Sequence, residues 1–318
     1  MSQGPPSVRA ATDPSSHPRL QALVAQARAA DGAALPVLGL VYPGDALAMD
    51  AARQMLATGI ARPLLIGPRG KIEAAADRAK VDISDFEMAT TGDSPAEAAG
   101  RATALARSGA VRALMKGSLH TDELMSAVVD KATGLRGTRR ISHAFIFDLP
   151  RYHKLVALAD CVVNIAPNLA TKRDIIGNAL DLLRRLGVAS PKVAIVAAVE
   201  TVNPAIPATV DAQALVQLAL EGVWPGAVVA GPFGFDNAFS AAAARTKGID
   251  STVAGDADLM LMPDLNAGNM LYKCFNYVGG GDCAGLVLGA TVPVVLSSRA
   301  DSLQARIASV ALAVLATS

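Results

Sequence analysis

Val111-Arg112-Ala113-Leu114-Met115 runs directly into Lys116-Gly117-Ser118-Leu119-His120, and a helical pattern resumes at Thr121. The first stretch is apolar and too short for a helix, so it reads as a buried strand. Lysine, glycine and serine after it make a strand-to-helix turn. Upstream, Ser94-Pro95-Ala96-Glu97 has the pattern of a capping box with Pro at the first helical position, which predicts a helix to about Arg107. Helix, short strand, polar turn and helix together form the repeating unit of a parallel sheet with crossover helices.

The same alternation extends in both directions from this unit. Leu35 to Val41, Pro63 to Ile66, Ala144 to Phe147, Leu155 to Ala159 and Val193 to Ala198 read as strands, each bounded by turn residues. Gly226 to Ala230, Leu259 to Met262, Gly285 to Leu288 and Pro293 to Leu296 follow, separated by helices near Ala238 to Arg245 and Ala267 to Val278. The last helix is predicted to open at Asp301 as its cap, with Leu303, Ile307, Val310, Ala311, Val314 and Leu315 on one stripe. The fold class is therefore α/β. Residues 1–18, rich in Ser, Pro and Gly, read as a disordered arm.

With 318 residues, 52% of them hydrophobic, the chain can bury a large core and favours two domains. Its 29 basic and 28 acidic residues nearly cancel and only 4% are aromatic, which argues against nucleic acid as a partner. No apolar run approaches the roughly 18 residues needed to cross a bilayer, and no secretory pattern opens the chain. A cytoplasmic protein with no membrane partner is expected. Cys161, Cys274 and Cys283 are odd in number and lack CxxC spacing, so neither a disulfide framework nor a thiolate metal site is expected.

The Walker, zincin and nucleophile-elbow patterns are all missing, and His17, His120, His143 and His153 are not paired at i,i+4. Gly279-Gly280-Gly281 precedes a strand, the reverse of a dinucleotide fingerprint, and reads as a turn. What remains are polar residues at the carboxyl ends of strands, where open α/β sheets bind ligands. Lys116, Gly117 and Ser118, with exposed amides and a following helix, suit an anion. So does Ser297-Ser298-Arg299-Ala300-Asp301, with hydroxyls, a guanidinium and a helix start. An ordinary capped turn would look the same at either place. Arg136, Arg139 and Arg140 form a basic segment suited to phosphates, or to a solvated loop. His143, alone beside a strand, has the pattern of a packing residue.

Several longer segments resemble the phosphate acetyl/butyryltransferase family: Ala254-Gly255-Asp256-Ala257-Asp258, Pro263-Asp264-Leu265-Asn266-Ala267-Gly268-Asn269 and Pro293 through Ser302. Leu114-Met115-Lys116-Gly117, Ala159 to Asn164, Val199-Glu200-Thr201-Val202-Asn203-Pro204 and Gly231 to Ala238 extend the likeness over nearly everything after Leu35. The resemblance implies two α/β domains with an interdomain cleft, similar to isocitrate and isopropylmalate dehydrogenases. The expected division is residues 19–145 plus 292–318 against 146–291. It also implies a homodimer, and the reaction acyl-CoA + phosphate ⇌ CoA + acyl phosphate by direct attack. Coenzyme A is then a substrate, with no metal and no tightly bound cofactor.

Carried onto this chain, the family pattern makes Ser298 a hydrogen-bond donor to the acyl or phosphoryl oxygen and Arg299 the phosphate clamp. Lys116, Gly117, Ser118, Arg136, Arg139, Arg140, Asn266, Gly268 and Asn269 become substrate-binding candidates. Such a site needs cationic and N–H donors, because both partners are anionic and the transition state gathers charge on oxygen. The pattern breaks at Ala305, where acetyltransferase members carry an aspartate assigned as base for the thiol. Asp301 and Asp264 are the alternative bases. This departure resembles the butyryltransferase and hydratase-fused branch. Acetyl transfer is the favoured reading, with butyryl or another short acyl group as the alternative. A metal-dependent decarboxylating dehydrogenase and an inactive regulatory or scaffold homologue are the rivals.

Overall fold

The computed structural model describes residues 17–30, 34–297 and 301–317. The predicted arm up to residue 16, and Ser298, Arg299 and Ala300, lie outside the described residues. In chain order come α1 (Pro18–Ala30), β1 (Val37–Val41), α2 (Ala46–Thr58), β2 (Arg62–Gly67), α3 (Arg69–Ala79) and β3 (Glu87–Thr90). They are followed by α4 (Pro95–Arg107), β4 (Ala113–Lys116), α5 (Thr121–Val129), β5 (Ser142–Asp148), β6 (Val156–Ala159) and α6 (Leu169–Arg185). Next are β7 (Lys192–Val196), α7 (Pro207–Leu220), β8 (Val228–Phe233), α8 (Phe235–Phe239), α9 (Ala241–Thr246) and β9 (Leu259–Leu261). The chain closes with α10 (Leu265–Tyr277), β10 (Asp282–Leu288), β11 (Val294–Val295) and α11 (Leu303–Leu315).

These strands form one 11-stranded sheet in the order β3-β2-β1-β4-β11-β10-β5-β6-β9-β7-β8. The α/β class holds, but the sheet is mixed where a parallel one was expected. β3, β2, β1, β4 and β11 are mutually parallel, as are β6, β9, β7 and β8. Between the two sets, β10 is antiparallel to both β11 and β5, and β5 is antiparallel to β6. The two parallel sets therefore run in opposite directions, and the registers bring the ends of β4 and β6 to nearly the same level of the sheet. Strand direction leaves no mark on a strand such as β5, whose seven residues are all buried.

α11 is buried from Ala305 through Leu315, Arg306 and Ser309 included, so it is enclosed all round and not on one stripe as expected. It packs on α1, α2 and β10, and Ser309 Oγ accepts from the Gly285 amide at 2.9 Å. Its cap is Ser302, whose hydroxyl accepts from the Ala305 amide at 3.0 Å, and not the predicted Asp301. α4 begins at Pro95 as predicted, yet the Ser94 side chain makes no cap bond and Glu97 turns back against Gly92. The helix expected from Ala238 to Arg245 is broken at Ser240, whose hydroxyl caps α9 by accepting from the Ala243 amide. β3 was not anticipated, because its pattern of exposed ends lacks the apolar run that marks the others.

Candidate functional site

β4 delivers Lys116 to the edge of the sheet, and Gly117 lets the next turn press onto the end of β1. A Cβ at Gly117 would stand 2.5 Å from the Val41 carbonyl oxygen and 2.6 Å from that of Tyr42. The Gly117 amide donates to Val41 O at 2.8 Å and the Ser118 amide to Tyr42 O at 2.9 Å. Those amides, expected to face an anion, instead hold the turn together. The Ser118 hydroxyl donates to Asp45 Oδ2 and accepts from the Gly44 amide, both at 2.9 Å. Asp45 in turn caps α2 through the Ala48 amide. Lys116 Nζ donates to the carbonyls of Gly117 and Leu119 at 3.2 and 3.1 Å, which folds its charge over the turn.

Beside this turn lies a cavity of about 550 Å³. Lys116, Ser297 and Asp301 bring the carboxyl ends of β4 and β11 and the approach to α11 to one side of it, with Leu119, Phe145, Val162 and Leu296 as apolar lining. α10 supplies the facing wall with Asn269, Tyr272, Lys273, Asn276 and Tyr277. That spacing is one helical face. Asn269, Lys116 and Asp301 were sequence candidates; Tyr272, Lys273, Asn276 and Tyr277 were missed, although their i+3, i+4, i+7 and i+8 spacing from Asn269 was readable. Among the described residues Asp301 is the one carboxylate lining this cavity.

Beneath Ser297 sits Arg306, 5% exposed. Its guanidinium donates to Ser297 Oγ at 3.1 Å and to the Asp301 carbonyl at 3.5 Å, holding both flanks of the segment that carries Ser298 and Arg299. Burial lowers its pKa, and the charges of Asp301 and Asp45 oppose that shift. An arginine inside a helix of Ala, Val and Leu gave no sequence signal of this role.

α10 is held against the sheet by a close approach. A Cβ on Gly268 would lie 2.3 Å from the Asp160 carbonyl oxygen, and Asn269 Nδ2 donates to Cys161 O at 3.2 Å. The Asp160 carboxylate is itself buried and saturated: it accepts from the amides of Val162, Val163 and His143 and from Asn164 Nδ2. His143 is buried with neither ring nitrogen hydrogen-bonded among the described residues. Burial pushes its pKa down to about 4, with the Asp160 charge pulling the other way, so the ring is neutral.

Other sequence candidates fall elsewhere. Asp264 caps α10 by accepting from the Ala267 amide at 3.0 Å, and Asn266 is exposed on the first turn; neither lines the cavity. Arg136, Arg139 and Arg140 line a separate groove with Asn164 and Asn168, towards the carboxyl end of β6. Arg136 donates to Val129 O, and Arg139 pairs with Asp181 across the face of Gly177. The Arg140 amide donates to Asp174 and its carbonyl accepts from Asn178, which fixes its backbone beside the groove. Ala305 is buried, so an aspartate there would enter the core. The segments beginning at Val199 and Gly231 do meet, where Asn237 and Lys247 both donate to Glu200. Among the described residues no group of three His, Cys, Asp or Glu side chains could hold a metal ion.

A sequence profile described as phosphate acetyl/butaryl transferase matches residues 96–314. Over 293 residues, 92% of each chain, the protein is 46% identical to a phosphate acetyltransferase of Rhizobium meliloti. It is 36% identical over 271 residues to a phosphate butyryltransferase of Clostridium acetobutylicum, covering 85% of this chain and 90% of that one. Its structure is similar to that of a branched-chain phosphotransacylase from Enterococcus faecalis V583, with a TM-score of 0.78 and 27% identity over 89% of this chain and 99% of that one. A profile spanning most of the chain, near-full-length identity at this level and a shared fold lead to one conclusion: this chain belongs to the phosphate acetyl/butaryl transferase family.

Proposed function

We propose that this protein exchanges a short acyl group, preferentially acetyl, between coenzyme A and inorganic phosphate. The observation that carries the reading is the convergence of Lys116, Ser297 and Asp301 with one face of α10 around a single cavity. In the direction of thioester formation, the CoA sulfur attacks the carbonyl carbon of the acyl phosphate, the C–O bond to phosphate breaks, and the thiol proton leaves with the phosphate or through a base. Asp301 is the proposed base or proton acceptor, since it is the one carboxylate lining the cavity among the described residues. Lys116 supplies positive charge for the developing oxyanion. Ser298 and Arg299 are proposed to contact the acyl and phosphoryl oxygens, and Arg140, with Arg136 beside it, to meet the phosphates of CoA.

Preference for acetyl is supported by the greater identity to an acetyltransferase than to a butyryltransferase. We further propose a cytoplasmic homodimer in which residues 19–145 with 292–318 form one lobe and 146–291 the other. Initial rates with acetyl, propionyl and butyryl phosphate test the preference, and kcat/KM should fall in that order. Arg299→Ala should raise KM for phosphate or acyl phosphate at least tenfold, because a charge-assisted clamp contributes about 1.5–3 kcal/mol. Unchanged kinetics in that variant would remove the clamp from the account.

A further inference from the structure

We propose that the Tyr272–Asn276 face of α10 is the acyl-thioester slot of the cavity, with the Tyr272 ring as the wall that restricts the acyl group to a short chain. The inference rests on the acyl-transfer reading above and adds to it the residue that sets chain length. The cavity divides its chemistry: Lys116, Ser297 and Asp301 offer charge and hydroxyl, whereas Leu119, Phe145, Val162 and Leu296 offer hydrocarbon. A carbonyl under attack belongs at the polar side, and its alkyl tail belongs against the apolar one.

What limits that tail is aromatic. The Tyr272 ring lies flat on Phe145, with centroids 4.1 Å apart and planes 2° from parallel. Phe145 is backed in turn by Phe147, 6.0 Å away between centroids, so the rings fill the space into which a longer alkyl chain would extend. Phe145 comes from β5 and cannot move without the sheet. Tyr272 stands on a helix face, half-buried, and is the movable side of the slot.

Asn276 gives an independent sign that a ligand belongs here. One turn beyond Tyr272, it is 8% exposed and lines the cavity. Its Nδ2 reaches Cys283 Sγ at 3.8 Å, while its Oδ1 has no hydrogen-bond partner among the described residues. A buried acceptor without a donor is unfavourable, and a turn of the Asn276 side chain towards the cavity would let an N–H from outside the chain satisfy it. The pantetheine arm of coenzyme A carries an amide N–H a short ethylene link from its sulfur. With that N–H on Asn276, the sulfur and its acyl group extend along α10 towards Tyr272.

The test uses the full chain and measures kcat/KM for acetyl and butyryl phosphate with CoA in wild type, Tyr272→Ala and Tyr272→Leu. Both substrates are assayed on one preparation, so their ratio does not depend on the folded fraction. Removing the ring should raise the butyryl-to-acetyl ratio about tenfold or more, the scale on which pocket volume discriminates methylenes. An unchanged ratio overturns the slot while leaving acyl transfer intact, and loss of turnover with both substrates in both variants overturns it too. Wild type inactive on every acyl phosphate would instead defeat the reading beneath it. In Asn276→Ala, KM for CoA should rise about tenfold with KM for acetyl phosphate unchanged, the loss expected for a buried hydrogen bond. Equal changes in both constants remove Asn276 from the slot.

Discussion

Asp301 and Asp264 stand on opposite sides of the difference between a helix cap and a group lining the cavity. Asp264 spends its carboxylate on the Ala267 amide, whereas Asp301 lines the cavity and leaves the capping of α11 to Ser302. Asp301→Asn should therefore lower kcat by about 10²–10⁴-fold if it takes the thiol proton, and Asp264→Asn should leave kcat within a fewfold. Asp264→Ala should cost about 1 kcal/mol in urea unfolding as a lost N-cap. Equal kinetic losses in the two asparagine variants would contradict the assignment. His143 makes a separate prediction, about stability. Its unfolded ring titrates near 6.5 and its folded ring near 4, so the fold favours the neutral form; that contribution is complete above 6.5 and is lost as the pH falls towards 4. Wild type should lose more unfolding free energy between about pH 7 and about pH 5 than His143→Phe does, and matching losses would sink the idea. At this scale the sequence made Lys116 and Asp301 readable, since both follow strands. It hid Arg306, because arginine is rarely buried and nothing local marks the exception.

Among the elements, α10 has the most to lose from small displacements. Its inner face forms one wall of the cavity, and its distance from the sheet is set where Gly268 meets the Asp160 carbonyl. Gly268→Ala would place a Cβ 2.3 Å from that backbone oxygen, with the Cys161 Cα and Sγ each 3.2 Å away. The helix must shift, at roughly 1–3 kcal/mol of strain, lowering the melting temperature by several degrees. Activity should fall further than the lost stability accounts for, because Tyr272 and Asn276 move with the helix. A variant with normal kcat/KM would show that the approach does not position the wall. α10 itself was legible from its helical period, and Asp264 is the kind of residue that opens a helix. The reason for Gly268 was not legible, since a contact to Cys161 and Asp160 joins positions more than a hundred residues apart. α8 and α9 were merged in the sequence reading because Ala241 to Ala244 continue a helical composition through the break at Ser240.

Across the whole molecule, alternating strands and crossover helices made the α/β class readable, while the reversal at β10 and β5 was not. That reversal has a functional consequence. Because the two parallel sets run towards each other, carboxyl-end residues of both, Lys116 and Ser297 from one and Val162 with α10 from the other, line one cavity, while Arg136, Arg139 and Arg140 line another groove near Asn164 and Asn168. On the proposed reading, coenzyme A would place its sulfur at α10 and its phosphates at the arginines. The central claim is that the cavity between the β4 turn and α10 carries out phosphate acyl transfer. It is tested most directly by incubating the purified full chain with acetyl phosphate and CoA and following thioester formation. Turnover in the ordinary enzymic range of about 1–10³ per second, abolished or strongly reduced in Asp301→Asn, is the predicted result. No thioester from acetyl, propionyl or butyryl phosphate would contradict it.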